Sequence, residues 1–314
     1  MKEQGSKISV VIPVYRSEHT LDELTSRLFS TLSELGRPFE LILIDDQSPD
    51  QSWRTLQSLK HGSPQGAHMR IARLSRNSGQ HNAILCGFTL VEGDIVVTMD
   101  DDLQNPPEEV PKLIEAIDQG YDLAIGSYDS KQHSNARNAS GDVIDRIQRK
   151  IFGLPSDFKL TSFRAVRRKV VDDACQMGSS YPYITAMLLS HTAHYTNVPV
   201  HHAPRLVGES NYTLNKSLHL AVNLVLNYSS YPVTVMAIAC FVALLFTMIY
   251  SGVVLFQALV MGTGVPGWAS TILIISFFNS VLLVCMLILG VYVSRLSRQI
   301  SRTRPSFTVD ELDG

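Results

Sequence analysis

The sequence predicts an α/β fold in which a mostly parallel sheet with helices on both faces is followed by two apolar helices. Two observations support this prediction. Short aliphatic runs alternate with amphipathic stretches between residues 8 and 126, and residues 217–294 contain no Asp, Glu, Lys or Arg. Apolar strands that alternate with helices are typical of parallel sheets covered on both faces, whereas a long uncharged stretch is typical of a membrane anchor.

The strands and helices of the first part can be assigned in order. Two aliphatic runs, 8–14 and 39–45, flank an amphipathic stretch at 21–35, which indicates a β-α-β unit. The alternation continues with a strand at 68–74, a helix at 80–90, a strand at 95–99, a helix at 108–119 and a strand at 123–126. In such sheets, ligands bind beyond the carboxyl ends of the strands. We therefore expect the functional residues at that edge.

Polar segments follow four of these strands, at residues 13–18, 45–50, 76–81 and 100–104. The most informative segment contains Asp100, Asp102 and Gln104. Alternate residues of an extended segment share a face, so the two carboxylates can converge on one divalent cation, with the amide carbonyl as a third oxygen ligand. The alternative is an acidic segment before a helix, where Asp and Glu stabilise the positive end of the helix dipole.

Two of the other segments suit a nucleotide. Tyr15 offers an aromatic face beside the carboxylate of Glu18, which suits a flat base, and Asp45 and Asp46 can accept hydrogen bonds from a ribose or a pyrimidine. A turn rich in Asp and Ser would have a similar sequence. Proteins that bind nucleic acid usually do so through a strongly basic face. The net charge of -2 and the pI near 6.5 therefore argue against a nucleic-acid partner.

The apolar part divides into two segments, 233–260 and 271–293, each longer than the roughly 20 residues that a bilayer core requires. Four arginines follow the second segment and Lys216 precedes the first, so the positive-inside rule places both ends in the cytoplasm. The stretch before the first segment could lie along the membrane surface or form an ordinary core helix. Glycines along the hairpin permit packing between subunits, which leaves a homo-oligomer open.

Together these motifs resemble those of the family 2 glycosyltransferases. The resemblance is closest to the polyprenyl-phosphate glycosyltransferases, similar to dolichyl-phosphate mannose synthase and to bacterial enzymes that act on undecaprenyl phosphate, and it covers nearly the whole chain. It rests on residues 11–15 with Glu18, 44–48, 76–81 with Gly87 and Phe88, 99–108, Asp157 with 162–164, and 205–212. It implies a GT-A-like, Rossmann-type sheet followed by a two-helix transmembrane hairpin.

The resemblance also implies roles for individual residues. Nucleotide-sugar binding is expected of Pro13, Tyr15, Glu18, Asp46, Asp100 and Asp101. A Mg or Mn ion is expected at Asp100, Asp102 and Gln104. The acceptor phosphate is expected to contact Ser162, Arg164, Arg205 and Ser210. The expected catalytic residues are Asp102, Arg164 and Asp157, of which Asp157 acts either as a base or as a group that orients the acceptor.

The activity that the resemblance implies is inverting transfer of a single sugar from a nucleotide-sugar, preferably a UDP-sugar, to undecaprenyl phosphate or a similar polyprenyl phosphate. The product would serve cell-envelope glycan or lipid modification. A phosphate monoester has a second pKa of about 6, so it is already a nucleophile near neutral pH and needs no strong base. A GDP-sugar donor and a catalytically silent lipid-carrier scaffold are the alternatives. A processive synthase is disfavoured because the chain lacks a Gln-x-x-Arg-Trp motif.

The chain is accordingly expected to be a multi-pass protein of the bacterial inner membrane, with its catalytic domain and both termini in the cytoplasm. The predicted organisation has four parts. They are a GT-A glycosyltransferase domain at 1–212, a juxtamembrane amphipathic helix at 213–231, two transmembrane helices within 232–294, and a cytoplasmic tail at 295–314.

Overall fold

The computed structural model describes residues 6–62, 66, 68–128, 149–176, 182–203, 267–300 and 307–313, with scattered positions between 235 and 260. The chain divides into two compact units. One unit contains residues 1–217 together with 302–314, and the other contains residues 218–301. Both ends of the chain therefore belong to the same unit.

The first unit alternates strands and helices along the chain, as the sequence predicts. Its strands are β1 (Ile8–Val14), β2 (Phe39–Asp45), β3 (Met69–Leu74), β4 (Ile95–Thr98), β5 (Leu123–Tyr128), β6 (Arg164–Arg167), β7 (Tyr195–Val200) and β8 (Val309–Asp313). Its helices are α1 (Leu21–Glu34), α2 (Ser52–Gly62), α3 (Gln80–Leu90), α4 (Val110–Asp118), α5 (Arg168–Gln176) and α6 (Ile184–Leu189). A short 3₁₀ helix, Pro107–Glu109, precedes α4.

The strands of the described residues form one eight-stranded sheet in the order β7-β5-β6-β4-β1-β2-β3-β8. Its centre is parallel, because β4, β1, β2 and β3 run in the same direction. Strand β6 is antiparallel to both of its neighbours, and β8 is antiparallel to β3. The prediction of a mostly parallel sheet is confirmed, and the two antiparallel strands are an addition that the sequence did not predict.

Helices cover both faces of the sheet. Alternate residues of β1 point to opposite faces, so Val10 and Ile12 pack with Leu24 and Leu28 of α1, whereas Val11 packs in the core formed with α3. The buried leucines of α1 recur every three or four residues, which gives this helix one apolar face. Each such leucine contributes about 2 kcal/mol through burial.

Helix α3 lies close to β1 because Gly87 has no side chain where the two elements meet. A Cβ at this position would lie 2.3 Å from Cγ1 of Val11, well inside van der Waals contact. The helix can therefore approach the sheet this closely only with glycine at residue 87. The first residue of α3, Gln80, is thereby held near the end of β4, where it contacts Asp100.

The carboxyl-terminal residues belong to the sheet. Within the segment predicted as a tail, 295–314, strand β8 pairs with β3. The N–H and the hydroxyl of Ser75 both donate to the carbonyl of Thr308, at 2.9 and 3.1 Å. The Phe307 side chain is buried in the core on the α3 side of the sheet. The last part of the chain is thus structurally part of the first unit.

The second unit contains α7 (Trp268–Ile300), a helix of 33 residues. Phe246 packs against Phe277 of this helix, with ring centroids 6.3 Å apart and the rings nearly edge to face. Large apolar side chains are exposed on the helix; Met286, for example, is 72% exposed. Taken over the residues that the structure describes, no helix is both long and apolar enough to cross a bilayer.

Most predictions for the membrane part concern residues that the structure does not describe. The amphipathic helix predicted at 213–231 lies outside the described residues, and so does most of the first predicted span, 233–260. The transmembrane hairpin and the four-part domain division therefore stay predictions.

Candidate active site

The carboxyl ends of β1 and β4 lie side by side, and several of the predicted residues meet at this edge of the sheet, which we call the crevice. The two strands are adjacent and parallel, and β1 lies between β2 and β4. At such a switch point the loops on the two sides diverge, which leaves room for a ligand. The loop after β1 carries Tyr15 and Ser17, and the loop after β4 carries residues 100–104.

Asp101 joins these two loops. Its carboxylate accepts hydrogen bonds from the Tyr15 N–H, at 3.0 Å, and from the Ser17 hydroxyl. Burial raises the pKa of Asp101 to about 7, and the charges of Asp100 and Asp102 act in the same direction, whereas the two hydrogen bonds oppose the rise. These bonds give Asp101 a positioning role: it holds the loop of Tyr15, whose side chain is 38% exposed.

Asp100 is held by two other segments of the chain. The Gln80 amide donates to its Oδ1 at 2.5 Å, and the Ser162 hydroxyl donates to its Oδ2 at 2.5 Å. Gln80 begins α3, and Ser162 lies two residues before β6. Two distant parts of the sequence therefore converge on one carboxylate.

The antiparallel direction of β6 explains how Ser162 reaches this point, because residues before β6 lie beyond the carboxyl end of β4. The Thr98 hydroxyl donates to the Ser162 carbonyl at 2.8 Å. Arg164 is 1% exposed, and its guanidinium donates to the Ser162 carbonyl at 3.2 Å and to the Thr185 hydroxyl at 2.9 Å. Burial lowers the pKa of Arg164, whereas the nearby carboxylate of Asp100 acts to raise it. The charge of Arg164 is thus buried close to Asp100.

Asp102 and Gln104 lie on the turn after β4. Oδ1 of Asp102 accepts the Gln104 N–H at 3.1 Å. The backbone carbonyl of Gln104 accepts the N–H of Ala203 at 2.9 Å. The side-chain nitrogen of Gln104 lies 3.5 Å from Nε2 of His202. The His202 ring packs on Tyr128, with ring centroids 4.1 Å apart. The segment after β7 therefore contacts the predicted metal ligand Gln104.

Asp46 and Glu18, which are predicted to bind the nucleotide-sugar, hold loops next to the crevice in place. Asp46 is 3% exposed, and its carboxylate accepts the N–H groups of Ser78 and Gly79 at 2.7 and 2.8 Å. Gly79 has a φ of +89°, which glycine adopts without strain. Glu18 accepts the N–H of Gln51 at 2.7 Å. These carboxylates hold neighbouring loops in place beside the crevice.

The other predicted residues are more scattered. Pro13 is buried within β1, and Asp157 is exposed in a turn between residues 155 and 158. Arg205 and Ser210 lie outside the described residues. The direct ligand contacts predicted for all these side chains stay predictions.

Residues at the crevice that were not predicted include Gln80, Tyr128 and His202. Gln80 stands in the polar segment 76–81, so its position after a strand could have identified it. Tyr128 ends β5 and His202 follows β7. Their proximity to Gln104 depends on the order of strands in the sheet, which local sequence does not show.

The donor atoms at the crevice suit a hard divalent cation. Asp100, Asp102 and Gln104 offer carboxylate and amide oxygens, the ligands that Mg²⁺ and Mn²⁺ prefer. Within the described ranges, no group of three His, Cys, Asp or Glu side chains could hold a metal ion. The predicted set has only two carboxylates, so further oxygens, such as those of a diphosphate, would have to complete the coordination.

Comparison with known proteins identifies the family. Residues 9–174 match the model of glycosyl transferase family 2. The chain belongs to this family. It is 32% identical over 311 residues to the undecaprenyl-phosphate 4-deoxy-4-formamido-L-arabinose transferase of Klebsiella pneumoniae (strain 342), and the alignment covers 98% of this chain and 93% of that relative. The enzyme of the same name from Enterobacter sp. (strain 638) shows the same identity and coverage. The chain is therefore a glycosyltransferase, and it aligns over nearly its whole length with relatives named undecaprenyl-phosphate transferases.

Solved structures agree with the fold of this glycosyltransferase. A crystal structure of glucosyl-3-phosphoglycerate synthase from Mycobacterium tuberculosis in complex with phosphoglyceric acid aligns with a TM-score of 0.50 and 18% identity, covering 71% of this chain and 78% of that chain. A complex of that enzyme with Mn²⁺, uridine-diphosphate and glucosyl-3-phosphoglycerate aligns equally well. The GT-A-like fold is thereby confirmed.

Proposed function

We propose that this glycosyltransferase transfers one sugar from a UDP-sugar, with inversion, to undecaprenyl phosphate or a similar polyprenyl phosphate at the cytoplasmic face of a bacterial inner membrane. The observation that carries the proposal is the 32% identity to undecaprenyl-phosphate transferases over 98% of the chain. That similarity includes the uncharged stretch 217–294 as well as the catalytic domain.

The crevice between β1 and β4 is the proposed donor site. Tyr15 offers an exposed ring to the base, and the loop that carries it is held by Asp101. Asp100, Asp102 and Gln104 would hold Mg²⁺ or Mn²⁺ next to the diphosphate. When bound, the ion neutralises the diphosphate and favours its departure.

The acceptor phosphate is proposed to approach from the side of Ser162. A dianionic phosphate is itself the nucleophile, so the chain must orient it and offset its charge more than deprotonate it. Ser162 lies at the crevice through its hydrogen bond to Asp100, and Arg164 supplies a buried positive charge nearby. Arg205 follows Ala203 by two residues, and Ala203 is bonded to Gln104. These positions support a role for residues 205–210 in holding the lipid phosphate.

The second unit is proposed to anchor the enzyme in the membrane as a two-helix hairpin. Its sequence carries no charge between residues 217 and 294. Apolar side chains such as Phe277 and Leu282 are more than half exposed, which suits a lipid environment better than water.

The proposal can be tested by incubating the full-length protein in membranes with undecaprenyl phosphate and a panel of UDP- and GDP-sugars. The panel includes UDP-4-deoxy-4-formamido-L-arabinose. We expect the lipid phosphate to gain the mass of one sugar with a UDP donor and a divalent metal. Release of free sugar without a glycosylated lipid would contradict the proposed acceptor, and product from GDP donors alone would contradict the proposed base.

A further inference from the structure

The carboxyl-terminal strand β8 reaches the end of β2 through a series of side-chain contacts. The indole N–H of Trp53 donates to Oε2 of Glu311 at 3.3 Å. The Trp53 ring lies under the guanidinium of Arg73, 5.9 Å from the ring centroid to the guanidinium carbon. Nε of Arg73 lies 3.1 Å from Oδ2 of Asp45. A continuous series of side-chain contacts thus runs from β8 through α2 and β3 to β2.

Asp45 and Arg73 together hold the loop that follows β2. Asp45 is fully buried, and its carboxylate accepts the Ser48 N–H at 3.2 Å. Arg73 donates from Nη2 to the Ser48 carbonyl at 3.4 Å. A buried carboxylate is stable only with partners of this kind, so the position of Arg73 affects the position of Ser48.

Ser48 in turn supports the loop of Tyr15. The N–H of Arg16 donates to the Ser48 hydroxyl at 3.2 Å. The next residue, Ser17, donates its N–H to the Ser52 hydroxyl at 2.9 Å. Arg16 has a φ of +59°, an uncommon backbone conformation outside glycine, so the loop needs such contacts to keep its shape.

An open cavity borders the loop after β2 on one side. A cavity of about 650 Å³ lies there, lined by residues that include Gln47, Ser48, Trp53, Arg73 and Glu311. The polar contacts among Glu311, Trp53, Arg73 and Ser48 lie along the wall of this cavity and connect the loop to strand β8. Their outermost member, Glu311, comes from the far end of the chain.

We propose that Glu311 and Trp53 are positioning residues for the nucleotide-sugar, which act through Arg73, Asp45 and Ser48 on the loop of Tyr15. The proposal rests on the proposed function, in which Tyr15 contacts the base. It makes the carboxyl-terminal strand a functional part of the donor site, although this strand is separated from the catalytic sequence by the whole second unit.

The test compares three variants of the full-length protein in detergent. Glu311→Ala removes the acceptor of the Trp53 N–H, and we expect the KM for the nucleotide-sugar to rise about threefold to tenfold. The value of kcat should stay within about twofold of the wild type, because Asp100 and Asp102 are unchanged. Glu311→Gln keeps a carbonyl acceptor and should restore the wild-type KM.

Asp310→Ala is the matched control. Asp310 is an exposed acidic residue of the same strand, and the alternation of side chains directs it to the opposite face from Glu311. The KM of Asp310→Ala for the nucleotide-sugar should equal that of the wild type. An unchanged KM for Glu311→Ala, or an equal rise in Asp310→Ala, would overturn the positioning role.

Equilibrium binding of free UDP distinguishes this proposal from the proposed function. If wild-type protein and Glu311→Ala bind UDP with the same affinity, the positioning role is wrong while the donor site stands. If the wild-type protein does not bind UDP, the proposed function itself is wrong.

Discussion

Three consecutive carboxylates at the end of β4 have different surroundings. Asp101 accepts hydrogen bonds from the loop after β1, whereas Asp100 accepts them from Gln80 and Ser162. Asp102 bonds the backbone of its own turn. Asp100 and Asp102 are the pair for which we propose a shared cation, whereas Asp101 contacts the loop that carries Tyr15. Asp101 thus connects the proposed cation site to the proposed base site.

The substitution Asp102→Asn tests the metal assignment. It removes one anionic oxygen ligand while keeping the size of the side chain, so we expect sugar transfer to fall at least about 100-fold. Transfer is measured as glycosylated lipid formed over a Mn²⁺ titration, and thermal unfolding checks that the variant is folded. Wild-type turnover in a folded Asp102→Asn variant would remove Asp102 from the metal site.

His81 provides a prediction about acid stability. Its ring packs edge-on against Tyr183, and burial, helped by the charge of Arg164, lowers the pKa of His81 to about 4. The unfolded chain has a histidine pKa of about 6.5, so unfolding takes up a proton between these values. The stabilising contribution of neutral His81 is therefore complete above pH 6.5 and is lost as the pH falls towards 4.

Between about pH 7 and pH 4.5, protonation of His81 should lower the free energy of unfolding of the wild type by about 2 to 3 kcal/mol. We expect His81→Gln to lack this part of the decrease. Chemical unfolding of both proteins at the two pH values measures this difference. His194→Gln, at an exposed position of the same unit, serves as the control for replacing an imidazole by an amide. Equal pH dependence in wild type and His81→Gln would show that the buried ring does not titrate as stated.

At the scale of elements, the contact between α3 and β1 is the most sensitive to substitution. A methyl group at residue 87 would clash with Val11, so Gly87→Ala should reduce the free energy of unfolding by about 1 to 3 kcal/mol. Gly62 ends α2 with nothing within 4 Å of its Cβ position, and Gly62→Ala should be neutral or slightly stabilising. Chemical unfolding of the two variants makes the comparison. Equal stability of both would contradict the close packing of α3.

The central strands and most helices could be predicted because their apolar residues follow a clear period. Strand β8 could not be predicted, since three of its five residues are acidic and its conformation depends on pairing with β3. Strand β6 has only four residues and contains the buried Arg164, so its sequence lacks the usual apolar run. Helix α4 begins at Val110 rather than at residue 108 because a 3₁₀ turn comes first.

The candidate site was predictable where its residues form local motifs. Asp100, Asp102 and Ser162 were identified in this way, and Asp100 and Ser162 are in contact. The contacts of Gln80 and His202 join residues that are far apart in sequence, so they depend on how the strands are ordered. The carboxylates of Asp46 and Asp101 point to backbone N–H groups, which composition alone could not distinguish from ligand contacts.

For the whole molecule, the path of the chain limits how the second unit can cross a membrane. The chain leaves the first unit after Ser217 and returns to it at Arg302. Because β8 pairs with β3, both sides of the second unit are attached to one folded domain. Residues 218–301 can therefore cross a bilayer only an even number of times, as the predicted hairpin does.

Cysteine labelling in bacterial spheroplasts tests this topology. Thr263→Cys lies in the linker between the two predicted spans, 233–260 and 271–293, and should react with an impermeant maleimide in intact spheroplasts. Ser156→Cys lies in an exposed turn of the first unit and should react only after permeabilisation. The unsubstituted protein gives the background from native cysteines. Labelling of both variants from outside would contradict the predicted hairpin, because the linker and the first unit would then lie on the same side of the membrane.

The pairing of β8 with β3 also has a consequence for biosynthesis. While the ribosome is still making residues 218–301, the outer edge of β3 has no strand beside it, because residues 309–313 do not yet exist. An open edge of this kind can pair with other chains. The sheet of each new polypeptide is therefore completed only after its apolar segments have been translated, and a nascent chain stalled before that point carries an unprotected edge.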